Sequence, residues 1–274
     1  TLRFFACGSF YITIGDFAGL HKSTVCRLVQ KITDVICDLS KDFIYLPKNA
    51  MEITEAQTGF MRTAKFPRVI SAIDCTHVKI ISPGGEAPEI YRNRKGYFSI
   101  NVQVMCSYDM RIQNVVARWP GSTHDSHIFG NSFAKARLER GDFLNGIVLG
   151  DSGYALNRYL LTPLTAPSTN GERLYNESHV RTRNVIERCF GILKRRFPVL
   201  SLGLRCNINL ARKVIVAVAI LHNIAIQNKE IEPAVDDNLE LAMDDDTNEE
   251  TALPNNTHNN MTRNIIIDYF NNLI

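Results

Sequence analysis

The sequence predicts an α/β fold, a mixed sheet flanked by helices, and three observations carry that prediction. Val69–Ile81 is a β-branched run bounded by Pro67 and by Pro83-Gly84-Gly85, the punctuation of a strand. Gly146–Gly150 is short and wholly apolar, which suits a strand buried on both faces. Two later segments, Arg181–Phe197 and Leu210–Lys229, repeat apolar residues at helical spacing, as helices covering a sheet do.

The elements follow in order. Asp16–Leu20, the turn His21-Lys22-Ser23 and Thr24–Ile36 form a helix-turn-helix pattern. Ser23 is placed to cap the second helix, and Val25, Leu28, Val29, Ile32 and Ile36 share one of its faces. In DNA-binding proteins such a second helix enters the major groove, which makes Lys22 and Arg27 candidate DNA contacts; any helical hairpin shares the pattern. Residues 47–68, between Pro47 and Pro67, form a connector with one short helix. Val69–Ile81, Phe98–Tyr108 and Ile112–Trp119, the last two joined by the turn Asp109-Met110-Arg111, make an antiparallel meander. After Pro120-Gly121, Thr123 and Asp125 can cap a helix from Ser126 to Glu139. Three strands, a helix, a strand and further helices is the order of a ribonuclease H-like core. The chain divides accordingly into a helical, helix-turn-helix-like segment (1–66), the α/β core (67–229) and an acidic tail (230–274) expected to be flexible. The apolar end of that tail, Ile265–Ile274, is suited to a short docking helix.

Composition narrows the function. Hydrophobic residues make up 45% and charged residues 22% of the 274, ordinary for a globular protein. The longest unbroken apolar run, Val214–Leu221, is eight residues against roughly 20 for a membrane span, so no membrane association is expected. Seven cysteines without a C-x-x-C pair argue against a disulfide scaffold or zinc ribbon and for an intracellular protein. The chain begins at Thr1 rather than Met, so a preceding segment and any targeting signal in it are left open. Thr1–Lys229 holds 30 Lys and Arg against 17 Asp and Glu, a net of +13, while Glu230–Ile274 holds one Arg against 11 acids, a net of −10. A body this basic attracts polyanions, with DNA the default partner. A phosphoesterase for small substrates needs no such field. The acidic tail is placed to compete with DNA for it.

Three carboxylates stand where structure alone does not ask for them. Asp74 interrupts an apolar strand, where an unpaired charge is costly. Asp151 follows the buried strand directly, at the edge where α/β sheets bind ligands. Glu187 lies about 100° around its helix from Ile186, flanking the core. If Asp74 and Asp151 sit on neighbouring strands and Glu187 comes from the helix across them, the three converge. Hard divalent cations, Mg²⁺ or Mn²⁺, prefer such oxygen donors. Two ions roughly 3.5–4 Å apart activate a nucleophile and stabilise the leaving oxygen in phosphodiester displacement. Each residue also has an ordinary role open to it: a strand hydrogen bond for Asp74, a helix cap for Asp151, and an ion pair with Arg183 or Arg188 for Glu187.

Six segments, in this order, resemble the PIF/Harbinger transposases and the nucleases derived from them: A-I-D-C-T-H (Ala72–His77), N-R-K-G (Asn93–Gly96), W-P-G-S-T-H-D-S (Trp119–Ser126), L-G-D-S-G-Y (Leu149–Tyr154), L-L-T-P-L (Leu160–Leu164) and I-E-R-C-F-G-I-L-K-R-R-F (Ile186–Phe197). L-H-N (Leu221–Asn223) also fits, and the likeness runs from Ile12 to Asn228. The resemblance implies a DDE superfamily endonuclease with a divalent-metal requirement, its catalytic triad falling on Asp74, Asp151 and Glu187, none of them substituted. It implies hydrolysis of DNA phosphodiesters, with strand transfer only in a working transposase, and a Myb-like DNA-binding partner that assists nuclear entry. Nucleus is the expected location, with cytoplasm besides. The rival expectation is a host-adopted DNA-binding protein that keeps the fold without cleaving.

Asp125 is an auxiliary metal carboxylate or a helix cap. His124 and His127 share a helix face but have no fourth ligand nearby for zinc. His77 alternates to the face opposite Asp74. Arg92, Arg94 and Lys95, interleaved with Tyr91 and Tyr97, suit phosphate contact and base stacking, or a solvated turn. Arg188, Lys194, Arg195 and Arg196 share the helix of Glu187 and are placed to carry DNA past the metal ions. The DNA target and the oligomeric state are not written in these patterns.

Overall fold

One five-stranded mixed sheet organises the computed structural model, which describes residues 1–234 and 260–273. Its strands are β1 (Val69–Lys79), β2 (Ser99–Cys106), β3 (Ile112–Pro120), β4 (Ile147–Leu149) and β5 (Leu160–Leu161), in the spatial order β3-β2-β1-β4-β5. The first three form the expected antiparallel meander, its second turn passing through Met110 at φ 65°. β4 and β5 add to β1 in parallel. β5 went unforeseen because two residues are too short to show a period.

The helices are α1 (Leu2–Cys7), α2 (Tyr11–Ala18), α3 (Lys22–Asp38), α4 (Ser40–Phe43), α5 (Ala50–Ala64), α6 (Asp125–Gly130), α7 (Phe133–Arg140), α8 (Asn170–Arg196), α9 (Val199–Leu202), α10 (Ile208–Gln227) and α11 (Asn260–Asn271). Three boundaries correct the sequence reading. His21, not Ser23, caps α3: its Nδ1 accepts from the Ser23 amide, and Ser23 lies inside the first turn. The single helix expected over Ser126–Glu139 breaks after Gly130, because Ser132 accepts from the Lys135 amide and starts α7. α8 begins well before Arg181. Thr169 and Glu172 close a reciprocal capping box there, a signature the sequence carries in Thr169-x-x-Glu172.

Strand alternation divides the packing. Ala72, Asp74, Thr76 and Val78 share a face with Val102, Val104 and Cys106; the apolar members pack under α8 and α10. The opposite face, with Ile73, Met105 and Val148, packs on Ile53 and Ala56 of α5, Phe129 of α6 and Leu138 of α7. α10 is long and apolar enough to cross a bilayer by length and composition, with a mean hydropathy of 1.5, although no unbroken run exceeds eight residues. In the fold it is a core helix, its Val214, Ala217, Val218 and Ile220 buried. The expected docking helix at the end of the chain is α11, which packs on α8 with Ile266 and Phe270 buried and Phe270 against Phe66 and Tyr175. The acidic run Asp244–Asp246 lies outside the described residues. Deleting 230–274 would strip α11 from the core, so that truncation does not isolate the effect of charge.

Candidate active site

The sheet register brings the two aspartates together. β1 and β4 are parallel with Ala72 beside Leu149, and Asp74 and Asp151 each stand two residues further on. Asp74 therefore sits in the middle of β1, on the face covered by α8, beside the point where β4 ends and Asp151 follows it. Asp151 is half-buried and its Oδ1 accepts from the Gly153 amide at 3.1 Å. Asp74 has a 17% exposed side chain; its Oδ1 accepts from the Cys75 amide at 2.8 Å.

Glu187 reaches this pair through an intermediary. Arg183, one turn earlier on α8, donates from Nη1 to Asp74 Oδ2 at 2.7 Å and from Nη2 to Glu187 Oε1 at 2.8 Å. Its guanidinium bridges strand carboxylate and helix carboxylate. The Glu187 side chain is 54% exposed, so it sits on the solvent rim of the crevice rather than flanking the core. One helical step from Ile186 is enough rotation, at this point of α8, to clear the sheet. Arg183 was visible in the sequence only as a possible ion-pair partner, and its i, i+4 spacing to Glu187 was the available signal.

The electrostatics are those of crowded carboxylates. Burial pushes the Asp74 carboxyl up to about 7; Arg183 works against this, while Asp151 and then Asp125 add to it. A group held so far above its ordinary range by burial and like charge is a mark of functional sites. The donors are all oxygens, the set that suits a hard divalent cation, and a cation there would relieve the repulsion. As placed, the cationic position between Asp74 and Glu187 is taken by Arg183, and among the described residues no three His, Cys, Asp or Glu side chains lie close enough to enclose an ion.

Asp125 belongs to the other face. It is the first residue of α6, whose N-cap position is taken by His124; its Oδ1 accepts from Asn101 Nδ2 at 2.8 Å. Asn101 pairs with His77 and Gln103 with Cys75 across β1 and β2, which puts Asp125 on the Cys75 side of the sheet. Its charge reaches Asp74 without sharing that face. His77 bonds Ser99 Oγ at 3.0 Å, also away from Asp74. His124 meets Arg94 and His127 packs edge-on against Trp119, so the two histidines do not converge. The glycine of W-P-G has a packing reason: a Cβ on Gly121 would collide with Ser99 Oγ and the Tyr91 carbonyl.

The basic candidates are scattered. Lys22 and Arg27 are exposed on α3. Arg92 pairs with Glu89, donates to the Gly96 carbonyl and lies over Phe98. Arg94 bonds His124, and Arg94 and Lys95 stay exposed on the same turn. Tyr91 is held by Arg212 and Tyr97 faces Lys79, so neither ring is simply open for stacking. Arg188 lies 3.6 Å from Glu232, and Arg196 donates to the Ile231 carbonyl. Lys194 and Arg195 lie with Arg196 in the last turn of α8.

A five-stranded mixed sheet flanked by helices, with one aspartate inside the central strand, a second just past the end of the parallel strand beside it and a glutamate on the covering helix, defines the class of DDE-type α/β nuclease cores. The chain belongs to the DDE superfamily endonuclease family, whose model matches residues 73–223, more than half of its length. It is 34% identical over 230 residues to Putative nuclease HARBI1 of Rattus norvegicus and 33% identical over 230 residues to the Homo sapiens protein of that name, each alignment covering 83% of this chain and 66% of the relative. Protein ALP1-like of Arabidopsis thaliana is 26% identical over 242 residues, covering 82% of this chain and 59% of the relative. The kinship to Harbinger-type proteins expected from the motifs is thereby borne out. The chain spans somewhat less than two thirds of the length of these relatives. No solved structure matches it.

Proposed function

We propose that the chain is a metal-dependent DNA endonuclease in which Asp74, Asp151 and Glu187 are the catalytic carboxylates. The observation that carries this reading is the meeting of Asp74 and Asp151 on adjacent parallel strands, with the Asp74 carboxyl pushed up by burial and by its neighbour's charge. Asp74, Asp151 and Glu187 would hold divalent cations, Mg²⁺ or Mn²⁺, with Asp125 acting on them through its charge from the far face. Such ions, when bound, supply Lewis acidity toward the scissile phosphate and a water that ionises near neutral pH. Glu187 is exposed and held by a single i, i+4 bond from the largely buried Arg183, so its carboxylate has room to turn into the crevice. Arg183, released from it, has phosphate as its natural next partner.

The basic body supports a DNA substrate. Arg188, Lys194, Arg195 and Arg196 line the end of α8 beyond Glu187, Arg92, Arg94 and Lys95 lie on the turn before β2, and Lys22 and Arg27 offer a further contact on α3. A Myb-like partner and nuclear residence, with cytoplasm besides, remain proposals that rest on the Harbinger resemblance.

A second reading has its own observation. Arg183 already neutralises Asp74 and Glu187, which favours a host-adopted DNA-binding protein whose site is silent. Nicking of supercoiled duplex DNA in Mg²⁺ or Mn²⁺ separates the two. The nuclease reading expects cleavage that Asp151→Asn lowers about a thousandfold or more, equivalent to roughly 4 kcal/mol of barrier. DNA binding without cleavage by the wild-type chain supports the silent site, and equal cleavage by both chains removes these residues from the chemistry.

A further inference from the structure

α3 carries more apolar surface than its own fold consumes. Val25, Val29 and Thr33 are buried against the body, while Leu28, Ile32, Val35 and Leu39 are 39, 38, 57 and 40% exposed. Their spacing of four, three and four residues is the seam of a two-helix coiled coil. Thr1 bonds the Leu28 carbonyl, and Leu2 is 63% exposed. An exposed apolar stripe of this kind on one helix marks an interaction site.

The charges beside the seam say what covers it. Lys31 and Asp38 are both exposed and lie seven residues apart on one flank of the stripe; the other flank, with Val25 and Val29, is the protein's own core. When a second α3 is laid antiparallel about a two-fold axis between Thr33 and Asp34, Leu28 of each copy meets Leu39 of the other and Ile32 meets Val35. In that same register Lys31 of each copy lies on the same flank as Asp38 of the other, offset by two residues or about 3 Å along the axis, so that flank closes with two symmetric pairs of opposite charge. A two-fold contact must complement itself in this way. A parallel arrangement sets Lys31 toward the half-buried Ile36 and leaves Asp38 without an opposite charge.

We infer that the stripe Leu28–Ile32–Val35–Leu39 is the interface of a homodimer, formed by antiparallel packing of α3 against α3 of a second copy and registered by two symmetric Lys31–Asp38 pairs. Lys22 and Arg27 lie at the outer ends of this contact, so each copy keeps its own crevice and its own basic rim.

Sedimentation velocity of the full chain across a concentration series tests the inference. The wild type is expected to dimerise. Lys31→Asp and Asp38→Lys, each placing like charges opposite one another at both sites, are expected to weaken the dimer about tenfold. The chain carrying both substitutions restores it, and an equimolar mixture of the two single variants forms a heterodimer, since one copy then offers two acids and the other two lysines. Replacing Val35 with Asp, at the most exposed seam position, gives monomer. A wild type that stays monomeric throughout overturns the inference. So does a dimer indifferent to the single swaps, or one weakened by them and rescued neither by the double swap nor by mixing.

Discussion

Asn223 and Asp74 are both polar side chains held against the same sheet, and the fold treats them in opposite ways. Asn223, 3% exposed on α10, accepts from the Ile112 amide at 2.8 Å and donates at 2.7 Å to the carbonyls of Ile112 and of Phe43. One amide thereby ties α10 to the hairpin at β3 and to the end of α4. Asp74 receives a single backbone amide and one guanidinium, while Asp151 and Asp125 press on it with like charge. Asn223 is satisfied and rigid; Asp74 is held at a cost that a bound cation would remove. A polar group buried with every valence met holds a structure together, and one buried among its own kind is a candidate for chemistry.

The contrast can be broken or sharpened by measurement. Asn223→Leu leaves one amide and two carbonyls unmatched in the interior, and the expected loss is about 4 kcal/mol of stability, read from urea unfolding. A loss under about 1 kcal/mol would mean that the amide is not the tie it resembles.

His179 extends the comparison to a buried titratable group. It is fully buried in α8, donates from Nε2 to the Leu161 carbonyl and packs against Phe66 and Tyr175; burial lowers it from 6.5 to about 4. Between those values the unfolded chain binds the proton that the folded chain refuses. The stability His179 contributes is therefore complete above pH 6.5 and is lost as pH falls toward about 4, by about 3 kcal/mol in all. His179→Gln should flatten that part of the profile, and a variant as acid-sensitive as wild type would assign the loss elsewhere.

The smallest effect has the opposite sign. With divalent ions chelated, Asp151→Asn relieves the repulsion on Asp74 while leaving its Arg183 pair intact. It should stabilise the protein by on the order of 1 kcal/mol once solvent screening is allowed for. A variant that melts below wild type in chelator would show the crevice to be structural after all.

Much of this was legible in the chain. Asp74 is conspicuous because an acid has no ordinary business between Ile73 and Cys75, and Asp151 because it ends an apolar run. Glu187 is less legible: helical rotation places it beside the core, yet its side chain is exposed. Spacing offered Arg183 as a partner for Glu187, but not its bridge to Asp74, and it offered Asp125 without saying which face of the sheet it would take. Nor was the role of L-H-N foreseeable, since its asparagine looks like any polar residue in an apolar helix until Ile112 and Phe43 arrive beside it.

By itself the sequence determined the periodic elements, their order, the acids that break the apolar pattern and the segregation of charge, because each is a property of neighbours along the chain. The tertiary structure decided which acids share a face, which cation lies between them and which apolar stripe is left uncovered. Those depend on strand register and on how far a helix is rotated over a sheet, where one residue of slip or one step of rotation moves a side chain to another environment.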